Sequence, residues 1–189
     1  MKRIIATLII LLSFISLKAE DQKRYMPDFF VSQFAGYIGF ISGGLGYHLS
    51  EEKSSIEFLY GYVPAFAGGI EIHMLTTRIN GRPFVYKSKN DFYFYPLNLA
   101  FFVNYTHGQQ YKVKWSSKYP KWYYRPTALY SGESVGMAIK KACNERFIAA
   151  YEVYADLVTM SEFLYEYSQN DSVTFKDIIS LAFGTRIFF

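Results

Sequence analysis

The chain of 189 residues carries 16 acidic and 20 basic side chains, is 51% apolar, and holds 18 Phe and 18 Tyr. That apolar content excludes intrinsic disorder, and the length suits one domain. The charged fraction of 19% lies below the roughly 25% of an ordinary soluble domain, so much of the surface faces something other than water.

The first residues read as a cleavable secretory signal over 1–19. Lys2 and Arg3 open it, Ile4 to Ile15 is apolar apart from Thr7 and Ser13, and Ala19 offers a small residue before Glu20. The apolar stretch is too short for a bilayer-spanning helix. Cleavage after Ala19 leaves 17 basic against 16 acidic groups in residues 20–189, a near-neutral barrel domain. The pI near 9.0 therefore belongs largely to the signal and does not argue for nucleic acid. Cys143 is the single cysteine, so no intramolecular disulfide and no four-thiolate metal site is expected. The residues suggest neither a cofactor nor a metal.

After the signal no stretch reaches 18 consecutive apolar residues, and the recurring period is two. From Tyr37 to Leu49, odd positions become apolar and even positions small or polar. Ile56, Phe58, Tyr60 and Tyr62 alternate with Ser55, Glu57, Leu59 and Gly61. Beyond the turn at 64–69, Ile70, Ile72 and Met74 alternate with Glu71 and His73. Tyr93, Tyr95, Leu97, Leu99, Phe101, Val103 and Tyr105 form one face of a strand about 40 Å long at about 3.3 Å per residue, with a bulge or strand start expected at Pro96. Phe147, Ala149, Tyr151 and Val153 alternate with Ala150, Glu152, Tyr154 and Asp156. Seven strands follow: 37–49, 55–63, 69–79, 92–105, 126–139, 146–156 and 178–189. An eighth is expected between Val158 and Phe175. The length of residues 20–189 suits eight strands, with ten as the alternative.

In every strand the inward candidates are small or polar and the outward ones large and aromatic, the inverted pattern of an all-β antiparallel transmembrane barrel. A soluble periplasmic lipid-binding barrel shares the alternation and stays open as an alternative. The last strand adds weight to the transmembrane reading. Ile179, Leu181, Phe183, Thr185, Ile187 and Phe189 share one face, and Ser180, Ala182, Gly184, Arg186 and Phe188 the other. This resembles the C-terminal signature of small bacterial outer-membrane β-barrel proteins, an amphipathic strand ending in Phe. The resemblance implies a Gram-negative outer-membrane location, contact with outer-membrane lipid and lipopolysaccharide, and recognition by the barrel-assembly machinery through Phe183, Ile187 and Phe189. At eight strands the interior is filled by side chains, so an open pore is not expected.

Three constellations are candidates for chemistry. Glu57, Glu71, His73, Glu152, Asp156 and Arg186 are expected to point inward as one polar network, with Arg186 as the partner the buried carboxylates need. His48 and Ser50, two apart on a strand, would be neighbours as a base and nucleophile must be. They resemble the His-x-Ser pair of the outer-membrane lipid A 3-O-deacylases, which implies an acyl hydrolase as the alternative function, with Glu51 or Glu57 as orienter. In that family the pair lies nearer the C-terminus. Finally, Lys112, Lys114, Lys118, Lys121 and Arg125 interleave with Trp115, Trp122 and several Tyr. In an exported barrel this suits a membrane interface or lipid headgroups rather than nucleic acid. Counting strands from residue 37 places this long segment at the periplasmic end, where short turns are the rule.

Overall fold

The structure, a computed structural model, describes residues 26–50, 53–108, 110–113, 127–143 and 146–189. Its strands are β1 (Phe29–Phe34), β2 (Ile41–Ser50), β3 (Ser54–Val63), β4 (Ile72–Gly81), β5 (Tyr86–Lys87), β6 (Phe92–His107), β7 (Leu129–Ala142), β8 (Ala150–Met160) and β9 (Ser180–Phe188). Among the described residues three short α-helices, α1 (Ala65–Gly68), α2 (Ser161–Gln169) and α3 (Phe175–Ile178), and a 3-10 turn at Lys89–Asp91 lie in the connections. All pairings are antiparallel. The sheet runs β4-β3-β2-β1-β9-β8-β7-β6-β5, and pairing of β4 with β6 closes it into a barrel of eight strands, with β5 a short appendage on β6.

The eighth strand is β1, not a segment between Val158 and Phe175. Its sequence FFVSQF hides the two-residue period because large apolar groups occupy both faces: Phe29 and Val31 point into the barrel, Phe30 and Phe34 away from it. The 158–175 region instead completes β8 and enters α2, whose Phe163, Leu164, Tyr165 and Tyr167 do not alternate. Residues 37–39, expected to start a strand, belong to a tight turn in which Ala35, Gly36 and Tyr37 all have positive φ. Pro96 does mark an irregularity, since the β6–β7 register shifts between Tyr95 and Asn98. The shift changes the phase of the pleat. Leu99, Phe101, Val103 and Tyr105 face outward as expected, but Tyr95 is buried inside and Phe92 and Phe94 take the outer face.

Each end of the barrel has its own character. The terminal end holds Asp28, Phe189 and residues 53, 82–91, 143 and 146–149. The loop end holds residues 35–40, 64–71, 108, 110–113, 127–128 and 161–179. Adding β1 to the count therefore puts the end of β6 and the start of β7, with the described residues 110–113 and 127–128, at the end opposite Asp28 and Phe189.

Buried side chains project into the interior at both ends and at mid-height. At the terminal end the rings of Phe29, His48 and Phe188 lie within 5.0–5.7 Å of one another, and Lys140 Nζ sits 4.2 Å from the Phe188 ring centre. At the loop end the 35–40 turn folds inward and buries Gly36 and Ile38. Charged side chains lie between these two apolar layers.

Candidate functional site

Burying charge inside a barrel carries a large desolvation cost unless each group is paired and hydrogen-bonded. The alternation of the strands delivers complementary groups to one level. Glu57 comes from β3, Arg78 from β4, Arg82 from just beyond β4, Glu152 from β8 and Arg186 from β9, all buried. Arg186 bridges the two carboxylates, donating from Nε to Glu57 Oε1 at 2.7 Å and from Nη1 to Glu152 Oε1 at 2.5 Å. Arg78 donates from Nε to the other Glu57 oxygen at 2.6 Å, with Nη2 also against it. Arg82 forks onto Glu152, with Nη1 and Nη2 each 2.8 Å from one of its oxygens. The result is a chain of alternating charge, Arg78–Glu57–Arg186–Glu152–Arg82.

Neutral groups complete it. Gln33 Oε1 accepts from Arg78 Nη1 at 2.5 Å and from the Tyr154 hydroxyl at 2.8 Å. The Tyr154 ring lies 4.1 Å below the Arg186 guanidinium, and the Tyr95 ring 4.9 Å from that of Arg82, so aromatic faces cover the cations. Tyr154 reaches this position because Gly184 opposite it has no side chain; a Cβ there would fall 2.2 Å from the ring. Asp156 does not pair with Arg186 but accepts from Asn98 Nδ2 at 3.2 Å.

The structure thus brings together Glu57, Glu152 and Arg186, and sets Asp156 on the same inner face. Arg78, Arg82 and Gln33 were not singled out from sequence. Arg78 carried a usable signal, since it lies four residues from Met74 and six from Ile72. The β4 phase inferred from Ile70 and Ile72 was the wrong one, however. Thr76, Arg78 and Asn80 are the buried row of β4. Glu71 and His73 are therefore not inward. Glu71 is exposed and accepts from the Tyr62 hydroxyl at 3.0 Å, while His73 Nδ1 shares a 2.6 Å hydrogen bond with the Tyr60 hydroxyl on the outer face. The apolar pair Ile70 and Ile72 misled because Ile70 lies in the connection and Ile72 is only the first residue of β4, whereas the body of the strand sets the pleat.

His48 is half-buried among Phe29 and Phe188, and its backbone N–H donates to Asp28 Oδ2 at 2.6 Å. Ser50 is exposed at the end of β2, and a register shift falls between the two. That irregularity interrupts, between the two residues, the regular pleat on which the period-two argument rests. Glu57, a proposed orienter, is held by Arg78 and Arg186; Glu51 lies outside the described residues. Of the basic and aromatic segment, Lys112 is exposed at the loop end and its N–H donates to Thr127 Oγ1 at 3.0 Å. Lys114, Trp115, Lys118, Lys121, Trp122 and Arg125 lie outside the described residues. In β9, Phe183 and Ile187 take the outer face, and the Phe189 N–H donates to the Asp28 carbonyl at 3.0 Å. Among the described residues no group of three His, Cys, Asp or Glu is placed to hold a metal ion. Comparison of the chain with protein-family models, with curated proteins and with solved structures finds no match.

Proposed function

We propose that the chain is a small outer-membrane β-barrel, exported by the signal at 1–19 and closed to solutes, whose role is structural, surface-interacting or lipid-contacting. The observation that carries this reading is the outer face. Phe58, Leu75, Leu99, Phe101, Val103, Val135, Met137, Ile139, Val153, Leu157, Leu181 and Phe183 are all exposed on it. Together they form an apolar surface on the order of 1,000 Å², well beyond the few hundred Å² that soluble monomers expose. The outward run on β6 from Phe94 to Tyr105, at about 3.3 Å per residue and a tilt of about 40°, rises roughly 28 Å, close to the apolar band of outer-membrane barrels. Tyr60, Tyr62, Tyr105 and His107 near the loop end, and Phe92, Phe94, Tyr151 and Phe189 near the terminal end, supply two aromatic girdles. A closed ring also satisfies every ladder group, which hydrocarbon demands.

Longer connections face outward in such barrels and short turns face the periplasm. The loop end is then extracellular and the terminal end periplasmic. The Arg78–Glu57–Arg186–Glu152–Arg82 chain acts as a plug that ties five points of the wall together, so no diffusion path is left for solutes.

The test is fractionation of cells followed by gel mobility with and without heating. A membrane-inserted barrel stays in the outer-membrane fraction and shifts on boiling. Recovery in the soluble periplasm without a shift would return the reading to a soluble lipid-binding barrel. Reconstituted protein should give no stable large conductance in a planar bilayer, and discrete nanosiemens steps would refute the plug. Mass spectrometry of lipid A from cells with and without the gene separates scaffold from acyl hydrolase; a difference abolished by Ser50→Ala would overturn the non-enzymatic reading.

A further inference from the structure

The loop end carries a cavity of about 430 Å³ that lies apart from the buried charges. Its walls are Tyr37 and Phe40 from the 35–40 turn, Met74 of β4, Tyr111 beyond β6, Tyr130 of β7 and Met160 of β8. Among the described residues no acidic or basic side chain lines it. Its polar lining includes Ser180 at the start of β9 and, more deeply buried, Asn104 and Thr106, only 1% and 4% exposed.

Asn104 and Thr106 differ in what they leave available. Asn104 is fully engaged: Oδ1 accepts the Thr76 hydroxyl, and Nδ2 donates to the Tyr37 carbonyl at 2.8 Å. Thr106 donates its backbone N–H to Ala128 O at 2.7 Å, while its hydroxyl has no hydrogen bond to any described residue. A nearly buried hydroxyl opening into a largely apolar cavity is the kind of placed polar group that orients a small molecule.

The wall is preformed. Ala35 and Tyr37 sit at φ 61° and 64° on either side of Gly36 at 82°, a left-handed run that non-glycine residues adopt only when their surroundings hold them. Asn104 holds the Tyr37 carbonyl, and the Tyr37 ring meets Phe163 of α2 edge to face at 5.6 Å. A strained turn pinned from two sides presents its aromatic ring to the cavity without an ordering step on binding.

We infer that this cavity binds a neutral aromatic molecule bearing one hydrogen-bonding group, with its ring among the tyrosines and methionines and its polar group on Thr106 Oγ1. Aromatic and thioether walls favour a ring through edge-to-face and sulfur contacts. A charged ligand would lose its hydration and meet no counter-charge among the described residues of the lining. The volume lies in the lower part of the roughly 300–1,000 Å³ range of small-molecule sites.

The test is a fluorescence titration of the barrel in lipid nanodiscs with N-phenyl-1-naphthylamine, an uncharged arylamine with one N–H, after subtraction of empty discs. One saturable site per chain is expected. Ala67 lines the cavity from α1 and is itself exposed, so Ala67→Phe should fill the space without disturbing the barrel and weaken binding at least tenfold. Thr106→Val should weaken it about three- to tenfold, the worth of one hydrogen bond. The anionic analogue 8-anilino-1-naphthalenesulfonate should bind at least tenfold more weakly. Absence of a saturable component, indifference to Ala67→Phe in a variant that still shows the heat shift, or equal affinity for the anion would each overturn the inference. The site does not depend on the membrane reading: a barrel found in the soluble fraction is titrated in buffer with the same expectations.

Discussion

Replacing Glu152 by Gln tests whether the interior charges act as one network. Glu152 receives three guanidinium contacts, at 2.8 and 2.8 Å from Arg82 and 2.5 Å from Arg186. Arg186 keeps Glu57 when Glu152 is neutralised, but Arg82 loses its only carboxylate partner among the described residues while remaining buried. Leaving one partner of a buried pair without its counter-charge costs about 3–5 kcal/mol. With a urea dependence near 2 kcal/mol/M, the unfolding midpoint should fall by roughly 2 M. Arg82→Met made in the same chain removes the stranded cation, so the double variant should be less destabilised than the sum of the singles by about 1.5 kcal/mol or more. The assay is equilibrium urea unfolding of the refolded barrel in lipid vesicles, followed by heat-modifiable gel mobility. A midpoint shift under about 0.5 M for Glu152→Gln, or strict additivity in the cycle, would refute a coupled network.

Other perturbations probe different parts of the fold. Deleting Phe188 and Phe189 removes the ring packed 5.0 Å from Phe29 and the bond to Asp28, and should sharply lower the yield of inserted barrel in a pulse-chase experiment. Phe183→Arg, on the outer face, should destabilise the inserted barrel by about 2–4 kcal/mol in vesicle unfolding if that face meets lipid. Gly184→Val should overpack the ring of Tyr154 and lower the urea midpoint, and Tyr154→Leu in the same chain should restore part of the loss. In the loop-end connection, Asp177 accepts from the Thr174 hydroxyl and N–H at 2.7 and 2.8 Å, which holds its carboxyl below the usual Asp range. The capping contact is therefore complete above the ordinary Asp pKa of about 3.9 and is lost as pH falls through the lower folded value. An NMR titration should show the Asp177 pKa rise toward the ordinary value in Thr174→Ala.

The sequence by itself determined what a single strand can encode. Alternation in β3, β8 and β9 assigned the outer rows and set Glu57, Glu152 and Arg186 inside, because the pleat has a period of two and each strand carries its own phase. The count of eight followed from length, and Pro96 marked the irregularity of β6. Closure decided the rest. β1 is a strand because its ladder groups pair with β2 and β9, although FFVSQF shows no clean alternation. The phase of β4 was settled by pairing with β3 and β6, which turned Arg78 inward and Glu71 and His73 outward. The bulge in β6 turned Tyr95 toward Arg82, a reversal that depends on how many residues the neighbouring strand presents across the irregularity. The pairing of charges could not be read from spacing either, since Arg186 meets Glu57 across 129 positions of chain and Arg82 meets Glu152 across 70. Which carboxylate each arginine reaches is fixed by register around the ring, and register is a property of the closed sheet rather than of any one strand.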